Sequence, residues 1–175
     1  MSDNTRYNRK ISGFTLVELV IVTALIAIII PSVTMMLAST IKSYKTMYIQ
    51  NRVASSANFA LSRFTRDVNE LESIQSSSES EVVFTTGGGT SMEYRLTDET
   101  FQSCSGSCAS EDDFGDLAHN VSIGEDDSRI MYYDDTMNSW DGNDVDEIRF
   151  IELVLVLTHA DGQSNFSSIV NPDNM

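Results

Sequence analysis

The chain has 175 residues, 41% of them hydrophobic, with 11 Lys and Arg against 26 Asp and Glu, two cysteines and two prolines. That size allows one domain of ordinary dimensions, and the composition excludes collagen, a disulfide-stapled miniprotein and a wholly disordered tail. A net charge of −15 argues against nucleic acid as a direct partner, because nucleic-acid binding needs a basic footprint that displaces counterions.

The charge is unevenly placed. Residues 1–66 hold eight of the eleven bases and two acids, Asp3 and Glu18, whereas residues 67–175 hold three bases and twenty-four acids. The two parts are therefore suited to different surroundings, a basic, apolar front and an acidic, polar back. After Gly13 no glycine occurs until Gly87, and the only proline between them is Pro31. Such a stretch predicts a helical stem.

Residues 1–13 are polar and net basic, with Arg9 and Lys10 beside the apolar boundary. Residues 14–37 follow with Glu18 as their one ionisable side chain. At ~1.5 Å per residue this segment is long enough to cross a ~30 Å hydrocarbon core, and it is predicted to be a transmembrane helix. From Leu19 to Ile30 only Thr23 is polar, so the helix has no face for solvent. Pro31 is tolerable there because the Ser32 and Thr34 hydroxyls can satisfy freed backbone groups. No small-residue cleavage site of the secretory kind closes the apolar run, so the span is expected to stay in the mature chain. Basic residues flank both ends, and the cytoplasmic N-terminus is inferred from the leader and the cysteines.

Glu18 is the anomaly of this segment. A charged, unpaired carboxylate one turn inside an apolar span costs up to ~3 kcal/mol, so it must be neutralised, snorkel or meet a cation. Cutting between Gly13 and Phe14 would make that cation, the new α-amino group of Phe14, on the neighbouring turn or on a neighbouring subunit.

Lys10-Ile11-Ser12-Gly13-Phe14-Thr15-Leu16-Val17-Glu18, with the aliphatic run behind it, resembles the class III signal of type IV prepilins and type II secretion pseudopilins. The resemblance implies that a prepilin peptidase cuts after Gly13 and methylates Phe14, and that Glu18 recruits the subunit into a growing filament. It also implies an inner-membrane precursor with a periplasmic head, partnered by an inner-membrane assembly platform and by other pilin or pseudopilin subunits through the N-terminal helix. A pilus, a secretion pseudopilus and a DNA-uptake fibre are all compatible with it. Pro31 comes a few residues earlier than the helix proline of many pilins.

Residues 38–75 are expected to continue the helix as an amphipathic stem to about Ile74. Ile41, Tyr44 and Tyr48, then Ala57, Leu61, Phe64, Val68 and Leu71 form an apolar stripe, opposite a polar face with Lys45, Asn51, Arg52, Arg63, Arg66, Asp67 and Glu70. The stripe needs a partner, a sheet from the following residues or a second stem.

Residues 76–175 read as an antiparallel β head. Ser76-Ser77-Ser78 marks a stop. Val82 to Thr86 and Ser91 to Leu96 about the Gly87-Gly88-Gly89 turn form a hairpin. No Lys-Ser/Thr follows those glycines, which excludes a phosphate-binding loop. Residues 130–133 form a further strand, residues 148–158 a central one, and residues 166–170 pair back against it. The fold class is α+β, a long N-terminal helix on an antiparallel sheet. Glu93-Tyr94-Arg95-Leu96 with the closing hairpin resembles the larger minor pseudopilins, of the J type.

Cys104 and Cys108 are expected to form a disulfide that pins a small loop. Pilin heads often carry a cysteine-bounded loop nearer the C-terminus, so that loop's role does not transfer. Zinc held by these cysteines with His119 and His159 fits no usual spacing. The acidic run 134–147 is dense in oxygen ligands, of which calcium takes about six to eight, and Asp141, Asn143, Asp144 and Asp146 are its candidate ligands. A solvated acidic loop explains the same run, and no other cofactor is expected. For catalysis the histidines stand alone and no serine or cysteine sits in a nucleophile elbow, so the reading is non-enzymatic. The chain is read as a minor pilin or pseudopilin. The competing class is a single-pass, membrane-anchored periplasmic protein, a calcium-dependent binder or adhesin, that does not polymerise.

Overall fold

The computed structural model describes residues 13–97, 99–123, 127–140, 142, 144–160 and 162–172. It divides into two units, Met1–Lys45 and Thr46–Met175. The leader falls almost wholly outside the described residues. The fold is α+β and pilin-like, one long N-terminal helix followed by antiparallel strands.

Helix α1 runs Leu16–Asn69, 54 residues. In the first unit it buries nothing, and from Leu19 to Ile30 it is apolar all round apart from Thr23, with a mean hydropathy of 2.7 over its most apolar window. This helix is long and apolar enough to cross a membrane. Pro31 lies inside it and cannot donate to the Ala27 carbonyl. The Ser32 and Thr34 hydroxyls donate to the neighbouring carbonyls of Ile28, 3.4 Å away, and Ile30, 2.8 Å away.

In the second unit the helix buries Ala57, Leu61, Phe64 and Val68, the stripe read from spacing, and Ala60 beside it. Contact with the core begins at Val53, so Ile41, Tyr44 and Tyr48 remain exposed and the predicted stripe is buried only in its later part. The helix also ends earlier than its pattern implies. Leu71 and Ile74 continue the helical spacing, but residues Leu71–Ser77 form strand β1, antiparallel to β2. A register irregularity between Leu71 and Ser73 breaks the two-residue alternation of the strand, which lets Leu71 be buried and Ile74 pack against the same core.

The first sheet has five strands in the order of the chain: β1, β2 (Glu81–Thr86), β3 (Ser91–Leu96), β4 (Thr100–Ser105) and β5 (Gly115–His119). The β2–β3 hairpin closes through the triple glycine, where Gly89 adopts φ 75°, a conformation that side chains disfavour. The second sheet is β6 (Arg129–Tyr133), β7 (Phe150–His159) and β8 (Gly162–Val170), with β7 central as expected and starting two residues later than read. The chain after β5 joins the sheets: the Ser122 amide donates to Val156, and the Thr158 amide to Asn120, at 2.8 Å each. On the other side Ile130 donates to the Glu79 carbonyl at 2.8 Å, and the Tyr132 hydroxyl reaches the Ser78 carbonyl at 2.9 Å.

The core lies between helix and sheets and is centred on an aromatic cluster. Phe64 meets Tyr94 edge-on at 5.2 Å between ring centroids, and Tyr94 stacks on Phe84 and Phe101 at 6.1 and 5.6 Å. Each of these rings is fully buried, which contributes about 1.5–3 kcal/mol per side chain before entropy is counted. Asp67, expected on the polar face, is buried beneath them. It accepts from the Tyr94 hydroxyl at 2.6 Å and from Arg66 Nε and Nη2 at 2.9 and 2.8 Å. A buried carboxylate is stable only with such donors around it.

Candidate functional site

Gly13, Phe14 and Thr15 are non-helical, and α1 starts at the next residue. The peptide bond after Gly13 is therefore presented on irregular backbone, next to a Phe14 side chain that is 80% exposed. A methyl group added at Gly13 would meet no described residue within 4 Å.

Thr15 occupies the N-cap position: its carbonyl accepts the Leu19 amide at 3.2 Å. Its hydroxyl accepts the Glu18 amide at 3.3 Å, while Glu18 Oε2 accepts the Thr15 amide and hydroxyl, each at 3.4 Å. This reciprocal arrangement is a capping box, and it satisfies helix-end donors that an apolar sequence could not. The carboxylate also lies against the positive end of the helix dipole. Thr-x-x-Glu ahead of an apolar run is a recognisable start signal, but Glu18 draws attention as a misplaced charge and hides it.

The geometry gives Glu18 a use in the helix start. Oε2 starts the helix, and Oε1 carries no bond among the described residues. A cut after Gly13 would turn the Phe14 nitrogen into an ammonium one residue before Thr15, whose amide that carboxylate accepts.

In the second unit Cys104 and Cys108 are joined by a disulfide. Cys104 is buried at the end of β4, so the bridge ties the following loop to the sheet. Of the calcium candidates, Asp141 and Asn143 lie outside the described residues. Asp144 Oδ1 accepts the Asp146 amide at 3.0 Å as an N-cap. Asp134, nearby, accepts the amides of Asn138 and Thr136 at 2.9 and 2.8 Å and the Thr136 hydroxyl at 2.8 Å. The Asn138 amide, foremost among these, holds the Asp134 carboxyl below the usual carboxylate range. These carboxylates fold their own loop. Among the described residues no three His, Cys, Asp or Glu side chains form a group able to hold a metal ion. His119 and His159 do line one groove of about 860 Å³, together with Arg52 and Glu99. His159 Nε2 is there 3.1 Å from the Ser164 hydroxyl.

Compared with known protein families, residues 8–30 match the prokaryotic N-terminal methylation motif. That motif is of the type IV prepilin kind. It spans the last residues of the leader, Gly13, Phe14, Glu18 and the first turns of the apolar helix, and from Gly13 onward these are the elements whose geometry is given above. No curated protein matches the chain. Motif and apolar helix together fit a membrane-anchored type IV pilin or pseudopilin, with processing by a prepilin peptidase and assembly with other pilins as the motif's implication.

Proposed function

We propose that the chain is a non-enzymatic minor pilin or pseudopilin, of the J type. It is made as an inner-membrane precursor with its head in the periplasm, cut between Gly13 and Phe14, methylated at Phe14 and drawn through Glu18 into a filament of like stems. The observation that carries this reading is the junction itself, an exposed Gly13-Phe14 bond on non-helical backbone directly before a capping box built on Glu18. Apolar stems are as stable packed on one another as in lipid, so transfer from membrane to filament costs little provided each carboxylate meets an amine.

The minor role rests on charge. Residues 67–175 carry −21, and a homopolymer would bring many such heads together at separations where screening is incomplete. Low copy number or a tip position avoids that repulsion. Calcium, if bound at Asp141, Asn143, Asp144 and Asp146, would act as a counter-ion in the same sense. The test is incorporation: the Glu18→Ala chain should be cut normally and should be depleted at least tenfold from sheared filaments relative to wild type. Wild-type levels of the variant in filaments would refute the role given to Glu18.

A further inference from the structure

Two sheets have four lateral edges, and three of them are blunted. Strand β1 carries Glu72 and two register irregularities. Strand β5 has five residues, includes Asp116 and is irregular against β4. The outer edge of β6 is taken by Glu79, which accepts the Ile130 amide, and by the Trp140 amide, which donates to the Tyr132 carbonyl at 2.9 Å. Charge, brevity, bulges and cover are the usual protections against edge pairing.

Among the described residues strand β8 has none of them. It pairs with β7 over nine consecutive residues without a shift. In a strongly acidic head its sequence, Gly-Gln-Ser-Asn-Phe-Ser-Ser-Ile-Val, holds no charge and no proline. The direction of its backbone groups follows from β7. The Val156 carbonyl and the Thr158 amide are used on the side away from β8, so their cross-strand partners Asn165 and Gln163 turn their own groups to the outer edge. By the two-residue period Ser167 and Ile169 do the same. Four amides and four carbonyls thus face outward with no backbone partner among the described residues, and Ile169 is 47% exposed.

Beside this edge runs a groove of about 500 Å³ between β8 and α1, with Leu61 in its floor and Asn58, Ser62, Thr65 and Arg66 along the helix side. Thr65 and Ser168, 3.0 Å apart through their hydroxyls, close its inner wall. A strand added to β8 would place every second side chain in this groove. Edge hydrogen bonds for affinity and a flanking groove for alternate side chains are the two parts of a strand-addition site.

We infer that the β8 edge and its groove receive an extended, uncharged to basic segment of a different subunit, with small polar side chains at alternate positions. The small polar character follows from the lining, and the charge from the acidity of the head, which repels an acidic strand. A second copy is the poorer occupant: it brings a further −15, and among the described residues its unprotected edge is β8 itself, so pairing would be isologous and would close a dimer instead of extending a filament. That the donor is a filament subunit rests on the function proposed above, whereas the strand-addition site does not.

The probe is a capped nine-residue peptide alternating valine with serine and threonine, with a lysine at each end, titrated by fluorescence anisotropy against the full chain in detergent micelles. The leader's presence is read in the same preparation by intact mass. Wild type should bind it at least tenfold more tightly than it binds the peptide N-methylated at alternate residues, and more tightly than the same peptide ending in glutamate. Asn165→Pro removes one outward amide and should weaken binding at least tenfold. Ser167→Lys, which keeps the amide but charges the edge, should do likewise with an unchanged melting temperature. Equal binding of the methylated peptide, no saturable binding at millimolar peptide, or wild-type affinity in a folded Ser167→Lys would overturn the site. A dimer of the full chain lost in that variant would overturn the choice of partner. A retained leader would count against the filament reading and leave the peptide result standing.

Discussion

Replacing Asp67 by alanine tests how the helix is fastened to the sheet. The carboxylate is 7% exposed and receives the Tyr94 hydroxyl at 2.6 Å, with Arg63 Nε 3.8 Å from the same oxygen. Removing it orphans a hydroxyl that is wholly buried, at a cost of ~1–3 kcal/mol, and removes a charge-assisted bond of similar size. It also takes the nearest counter-ion from Arg63, whose Nε is buried without a hydrogen-bond partner. Arg66 adds little, since its side chain is 67% exposed and its pairing with Asp67 is screened by water. The losses overlap, so Asp67→Ala should destabilise the unit Thr46–Met175 by ~2–3 kcal/mol, lowering its melting temperature by roughly 6–10 °C. Near-ultraviolet circular dichroism of the full chain in micelles reads that transition. The decisive comparison is Tyr94→Phe, which should cost ~1 kcal/mol in wild type but stabilise the Asp67→Ala background, where it removes a buried hydroxyl already left without a partner. An equal cost in both backgrounds would refute the claimed bond.

Three further outcomes follow from the head. Burial first, then the Asp67 bond and charge, raises the Tyr94 phenol far above its ordinary value, and burial raises Tyr132 in the same direction. A phenol that resists ionisation in the folded state contributes nothing to pH dependence below about pH 10 and destabilises the fold as pH climbs past it. Ultraviolet titration should therefore show these two tyrosines ionising only as the head unfolds, and their smooth titration in a folded head would contradict the burial. Cys104→Ser should cost about 2 kcal/mol, the entropy of a very small ring, and leave the sheet intact by far-ultraviolet circular dichroism; loss of the fold would mean that the bridge holds more than its loop. Calcium titrated into the full chain should give neither heat nor a rise in melting temperature, because Asp134 and Asp144 already serve their own backbone. Saturable heat would restore the ion site around Asp141 and Asn143.

The parts legible in the sequence were those where one physical demand dominates. Apolarity on every side fixed the first half of α1, and spacing picked out Ala57, Leu61, Phe64 and Val68. The triple glycine located the β2–β3 turn, and an apolar run named β7 as central. Strands β1, β4 and β5 are not marked in the sequence because their pattern is weak. Leu-Glu-Ser-Ile-Gln-Ser-Ser and Thr-Phe-Gln-Ser-Cys-Ser offer few apolar residues, and Ser103 is buried where alternation calls for an apolar side chain. Such strands are set by their neighbours' backbone groups, which a linear pattern does not display. Asp67 was misassigned for a related reason: a charge in a helix reads as solvent-facing until its buried donor, Tyr94, is placed beside it from 27 residues away. At the helix start the residues were found but their geometry was not. Thr15 and Glu18 read as one motif position and one stray charge, and only in space do they become a reciprocal cap.

The most direct measurement is the mass of the N-terminal peptide recovered from assembled material after co-expression with a prepilin peptidase. A Cβ added at Gly13 would meet no described residue within 4 Å, so a Gly13→Ala chain should fold as wild type does and serve as the uncut control. The account predicts a mature end at Phe14 bearing one methyl group in wild type and an intact leader in the control. Assembled, functional wild-type chain that still begins at Met1 would contradict it.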